Sequence, residues 1–175
     1  MDRLWAPWRK TYIRPNGKKT GGCLFCRILS QKKDAQNYIL KRSSFSFAVL
    51  NIYPYNNGHV MILPNRHTSS LTALSPGERL DLLGLMDEMI QALQREFKAQ
   101  GFNVGVNLGK AAGAGIPHHI HLHLVPRWVG DSNFMTTVSK TRVISESLDS
   151  SYRTLARAVK GKAKSKKSKR ARTPN

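Results

Sequence analysis

An α+β fold, an antiparallel sheet with one long helix packed across it, is what the sequence predicts, on three observations. Two short apolar runs, SFSFAVLNI and HVMILP, flank the turn residues Pro54-Tyr55-Asn56-Asn57-Gly58, which is the pattern of a hairpin. One stretch from Ser75 to near Gly101 carries apolar residues at helical spacing. Two more strand-like runs follow: NVGVNL at 103–108, then a segment in which histidine alternates with aliphatic residues. Strand, strand, helix, strand, strand joined by short links favours antiparallel neighbours.

Taken in order, residues 1–22 (WAPWRKTYIRPNGKKTGG after the first four) are rich in Trp, Pro, Gly and Lys and read as an irregular arm. The domain proper is expected over 23–159, opening on Cys23-Leu24-Phe25-Cys26, which holds both cysteines of the chain. In a reducing compartment such a pair suggests metal or redox chemistry rather than a structural disulfide. The helix has a complete start signal: Ser75 to cap the free amides, Pro76 at the first helical position and Glu78 to close a capping box. Leu80, Leu83, Met86, Ile90, Leu93 and Phe97 then predict its buried face, and Gly101 its C-terminal cap. A glycine-rich link, GKAAGAG, leads to the histidine segment, and a final short helix is expected near 142–159.

The net charge of +19 is unevenly placed. Eight of the 29 Lys and Arg lie from Lys160 onward, where there is no acidic residue, leaving +11 on residues 1–159. The segment 160–175 is expected to be a disordered basic tail, able to add non-specific affinity for nucleic acid or to serve as a solubilising segment. The charge on the remainder suits a polyanionic ligand. No apolar run approaches the ~20 residues needed to cross a bilayer, and MDRLWAPWRK lacks the hydrophobic region of a secretory signal. The expected location is cytoplasmic, with no membrane contact.

The histidine segment carries the chemistry. PHHIHLHLVPRW, 117–128, contains four of the six histidines. Alternation places His119, His121 and His123 on one face of a strand, about 7 Å apart, with Ile120, Leu122 and Leu124 on the other. A solvent-facing polar row would need no imidazole. Three of them point either to a metal site or to nucleophilic catalysis by one histidine with its neighbours setting tautomer and charge. The spacing alone leaves both open.

HIHLHLV, 119–125, fits the His-φ-His-φ-His-φ-φ pattern (φ apolar) at every position, and the chain here resembles the histidine triad family. The likeness extends through WAPWRKTYI, FAVLNIYPYNNGHVMILPNRH, GFNVGVNLG and VPRWVGDSNFM, about 1–155. It is most similar to the bacterial branch that phosphorolyses diadenosine tetraphosphate to ADP and ATP. The resemblance implies His121 as nucleophile toward the α-phosphorus, forming a covalent nucleotidyl–histidine. It implies His123 as a donor to the phosphate, His59 as the family's fourth histidine, Asn51 at the ribose hydroxyls and Asn107 near the phosphates. Many relatives carry Gln, Ser or Thr shortly before the first motif histidine, to bind phosphate or the leaving group. This chain has Gly115, Ile116 and Pro117 there, so backbone amides around Gly115 are expected to substitute. Arg127 is a candidate for phosphate charge, and Trp128 for base stacking or packing.

The resemblance also implies a structural zinc held by Cys23, Cys26, His67 and His119, and a homodimer whose strands pair across the two-fold axis. The implied partners are an adenine nucleotide or dinucleoside polyphosphate, with inorganic phosphate as a candidate second substrate. The alternatives are a histidine triad hydrolase of dinucleoside polyphosphates, adenylated DNA ends or phosphoramidates, and a nucleotide- or nucleic-acid-binding module without turnover. A metalloenzyme with zinc on all three motif histidines is a further option.

Overall fold

The structure, a computed structural model, describes residues 22–131 and 146–170. Its elements are α1 (Leu24–Ser30), β1 (Ile39–Arg42), β2 (Ser46–Leu50), β3 (Val60–Pro64), α2 (Pro76–Phe97), β4 (Gly101–Val106), a 3₁₀ turn (Lys110–Ala112), β5 (Leu122–Arg127) and α3 (Leu148–Arg170). Of the arm expected over 1–22, residues 1–21 lie outside the described residues.

The hairpin forms as expected, with β2 and β3 antiparallel from Ser46↔Pro64 to Leu50↔Val60. Every residue of both strands is buried, because the sheet is covered on both faces and both sets of alternating side chains need apolar partners. Ala48, Leu50, Val60, Ile62 and Leu124 turn to one face, against α2 and α3. Phe47, Val49, Met61 and Leu63 turn to the other, where Phe25 of α1 joins them. The sheet order is β1-β2-β3-β5-β4, antiparallel at every pairing. β5 therefore runs through the interior of the sheet and β4 forms an edge.

The helix α2 begins at the predicted residue with both halves of the capping box made. Two other expectations for it are corrected. Leu82, Leu85, Met86, Met89, Ala92 and Leu93 form its buried face, while Leu80 and Leu83 are 74% and 54% exposed. Its first three turns contain leucines around most of the circumference, so spacing alone selects the wrong stripe. The cap is Lys98 in the left-handed region (φ 53°), not Gly101, which already opens β4.

The last helix starts at Leu148 and continues to Arg170, well past residue 160, where a disordered tail is expected. Lys, Arg and Ala dominate this stretch and all favour helix. Leu155, Ala156 and Val159 bury against the core beside α2, so the expected final helix joins α2 on this face of the sheet. Tyr38 Oη donates to Asp149 at 2.8 Å and Tyr152 Oη to the Ile39 carbonyl at 3.3 Å, tying α3 to β1. No described helix is long and apolar enough to cross a membrane.

Candidate active site and metal centre

The face opposite α2 carries the chemistry. β5 starts at Leu122, so His123 lies in the ladder, paired with Met61, while His119 and His121 occupy the extended lead-in. The Ile120 amide, donating to the Thr68 carbonyl at 2.7 Å, fixes that lead-in. Alternation then divides the histidines between two adjoining clusters.

His119 belongs to the first. It is fully buried, and its Nδ1 lies 3.4 Å from Cys23 Sγ and 3.6 Å from Cys26 Sγ. Cys26 Sγ is 3.3 Å from His67 Nδ1. One ligand atom from each of Cys23, Cys26, His67 and His119 lies within 4.8 Å of all the others. A tetrahedral zinc bound by two thiolates and two imidazoles requires sulfur–nitrogen edges of about 3.6 Å, which the observed separations match. The second nitrogen of His119, Nε2, is 2.9 Å from the Pro64 carbonyl, so it holds the proton and leaves Nδ1 as the ligand atom. Burial holds the His119 pKa below the ordinary imidazole value, favouring the neutral form that binds metal. Burial, and then the neighbouring Cys23, push the Cys26 thiol up, a bias that a cation reverses. The donor set fits zinc.

The second cluster is His59, His121 and His123. His121 Nδ1 donates to the His119 carbonyl at 2.9 Å, so its lone pair is on Nε2. The Tyr55 amide donates to His59 Nδ1 at 3.1 Å, which leaves the proton of a neutral His59 on Nε2. That nitrogen lies 3.0 Å from His123 Nδ1. The His123 Nδ1 therefore accepts, and its own proton sits on Nε2. One backbone amide thus sets the tautomer of two imidazoles in series. Tyr55 also stacks on His59, with centroids 4.9 Å apart, and the His121 and His123 rings meet edge-on at 5.0 Å.

The turn before β3 makes this placement possible. Gly58 has φ +69°, and a Cβ there would come within 2.8 Å of Leu93 Cδ2. Only glycine combines that conformation with that proximity to the core. Buried Asn56 secures the same turn by donating to the Pro126 carbonyl and to Asp131, both at 3.1 Å.

His121 and His123 line a cleft of about 260 Å³. Leu24, Phe25, Ile52, Tyr53 and Met61 supply apolar and aromatic wall, Asn51 and Asn107 supply amides, and Gly113, Gly115 and Ile116 complete the lining. Asn51 Oδ1 accepts from the Tyr53 amide at 2.9 Å, while its Nδ2 sits 3.3 Å from His59 Nδ1. The structure thus brings Asn51, Asn107, Gly115, His121 and His123 to one cleft, with His59 directly behind His123.

Arg127 does not join them. Its guanidinium grips both carboxylate oxygens of Asp131, at 2.5 and 2.7 Å, and reaches Asn103 Oδ1 at 2.8 Å. It is the last residue of β5, at the end of the strand away from His121, and is not among the residues lining the cleft. Trp128 likewise packs on the core, its indole donating to the Phe97 carbonyl at 3.0 Å. His118 is exposed. Sequence reasoning missed Tyr55, whose amide sets the relay, and the apolar wall of Leu24, Phe25, Ile52 and Met61. An aromatic residue in the turn just before His59 is the available signal for Tyr55.

Residues 32–129 match the family model described as HIT domain. A protein named AP-4-A phosphorylase from Mycobacterium tuberculosis is 37% identical over 163 residues, 89% of this chain and 83% of that protein. The bis(5'-nucleosyl)-tetraphosphatase [asymmetrical] of Schizosaccharomyces pombe is 33% identical over 93 residues, 53% of this chain and 50% of that one. Among solved structures, a Zn-bound histidine triad family protein from Mycobacterium smegmatis superposes with a TM-score of 0.67 at 29% identity, covering 82% of this chain and 97% of that chain.

Proposed function

The chain belongs to the HIT domain family, and from that premise we propose that it is an enzyme that splits dinucleoside polyphosphates by nucleotidyl transfer through His121. The observation that carries this reading is the bond from His121 Nδ1 to the His119 carbonyl at 2.9 Å, in a residue that lines the cleft. It leaves Nε2 as the nucleophilic nitrogen.

Nε2 attacks the α-phosphorus. A nitrogen–phosphorus bond forms as the bond to the departing polyphosphate oxygen breaks, and the leaving nucleotide takes the electron pair. Splitting one displacement into two lowers the barrier of each. His123, with its proton on Nε2, donates to the phosphate oxygens, and His59 behind it maintains that tautomer. Leu24, Phe25, Ile52 and Met61 take the adenine, Asn51 the ribose hydroxyls, and Asn107 with the backbone around Gly115 the phosphates. An oxygen of inorganic phosphate then attacks the adduct and the nitrogen–phosphorus bond breaks. From diadenosine tetraphosphate the products are ATP and ADP.

Cys23, Cys26, His67 and His119 would hold zinc, and with four protein ligands it would serve as a structural clamp rather than a catalytic centre. Two copies pair through β4, the edge strand, which presents Val104 at 51% exposure. Cys23 and Cys26, facing His67 and His119 rather than joined as a disulfide, suit a cytoplasmic location. The cations from Lys160 onward, continuous with α3 as far as Arg170, give the protein affinity for nucleic acid.

A hydrolase is the second reading, supported by the likeness to the asymmetrical tetraphosphatase. Product analysis with diadenosine tetraphosphate, with and without inorganic phosphate, separates the two. ADP plus ATP appearing only with phosphate is the expected result. AMP plus ATP regardless of phosphate makes water the acceptor, and binding without turnover rejects the enzymatic reading.

A further inference from the structure

The metal cluster and the nucleotide cleft share two pieces of structure. The first is α1. Cys23 is its N-cap residue and Cys26 lies in its first turn, while the two residues between them, Leu24 and Phe25, line the cleft. At seven residues, α1 is too short to hold its shape alone, and Phe25 is its one buried residue. The Phe25 ring stands edge-on to His119 at 5.5 Å and meets His121 at 5.3 Å, touching a metal-cluster residue and the nucleophile at once. The second shared piece is His119, whose imidazole lies in the metal cluster while its carbonyl accepts the His121 proton.

We propose that metal and nucleotide bind cooperatively, with Phe25 as the positioning residue that couples them. Metal on Cys23 and Cys26 holds α1 against the sheet, so the wall formed by Leu24 and Phe25 is already in place when the nucleoside arrives. A nucleoside against that wall in turn holds α1, and therefore both thiolates, on the metal. The inference rests on the zinc and nucleotide readings above. Thermodynamic linkage requires the two effects to be equal: the factor by which nucleotide tightens the metal is the factor by which metal tightens nucleotide.

The test uses full-length, zinc-loaded protein. Its zinc affinity is measured by competition with a fluorescent chelator in the presence of AMP, adenosine or inorganic phosphate. AMP affinity is measured by calorimetry at saturating and at chelated zinc. AMP is expected to tighten zinc by about tenfold, within the usual range of coupling between sites, and zinc is expected to tighten AMP by the same factor. Adenosine should reproduce most of the effect and inorganic phosphate little of it, because the coupling runs through the apolar wall. Phe25→Leu, which trims the adenine wall, should bind AMP more weakly at any zinc level, and the factor between its zinc-loaded and zinc-free AMP affinities should fall below about twofold. Unchanged zinc affinity at saturating AMP overturns the proposal, as does a full effect from inorganic phosphate or a full factor in the variant. The wild-type comparison of adenosine with phosphate decides the matter even if the variant fails to fold. Protein that takes up no zinc rejects the metal reading, and protein that holds zinc without binding AMP rejects the nucleotide reading; either result removes this proposal with it.

Discussion

His119 and His121 are two residues apart, have the same side chain and come from the same extended segment, yet they face opposite tasks. Both ring nitrogens of His119 are engaged by protein, Nδ1 beside the two thiols and Nε2 with the Pro64 carbonyl. Nothing on that ring is available to a substrate. His121 has one nitrogen fixed by the backbone and lines the cleft with the rest of its ring. The difference lies in what surrounds the second nitrogen: a ring tied at both ends is a scaffold, whereas a ring tied at one end can react.

Replacing each histidine in turn tests that contrast. The largest effect is expected from His121→Ala, a loss of about 10⁴-fold or more in kcat with AMP binding and zinc content retained. His119→Ala should instead lose bound zinc and thermal stability together, as measured by metal analysis and calorimetry. Equal zinc loss in the two variants would abolish the distinction. An intermediate effect is expected at His59, which stands behind His123 and fixes its tautomer. His59→Gln should lower kcat by about 10–100-fold, the scale of lost supporting contacts, while KM stays near the wild-type value; a change confined to KM would remove His59 from the relay. The smallest is Gly58→Ala, which forces a methyl group toward Leu93 at a positive φ. We expect it to cost about 1–3 kcal/mol in chemical denaturation, with zinc stoichiometry unchanged, since none of the metal ligands belongs to that turn.

The sequence carries the parts of this arrangement that depend on local pattern. The hairpin, the capping box at Ser75 and Glu78, and the alternation that separates His123 from Leu122 and Leu124 all follow from neighbouring residues. What escapes it depends on distant partners. Arg127 reads as a cation for phosphate until Asp131 and Asn103 are found around it. The expectation that His119 and His121 serve different roles comes from family resemblance, since identical side chains at identical spacing say nothing about which one meets the cysteines. Leu80 and Leu83 mislead because α2 is apolar around much of its first half, and only the position of the sheet selects the buried stripe. The continuation of α3 past residue 160 escapes because Lys-rich sequence reads first for its charge, although the same residues are good helix formers.

The sheet order has a consequence for how the molecule comes into being. β1, β2 and β3 are joined by short connections, but β5, the last of the strands in the chain, lies between β3 and β4. The bond between His59 and His123 spans 64 positions in the chain, and the approach of Cys23 to His119 spans 96. Contacts that close such long loops carry a larger entropic cost than those within the hairpin and set the pace of folding. A chain with its hairpin and long helix formed, but β5 still undocked, possesses every side chain of the proposed site and no site. Recovery of activity after denaturation therefore reports the docking of that one strand, whereas recovery of helical circular dichroism does not.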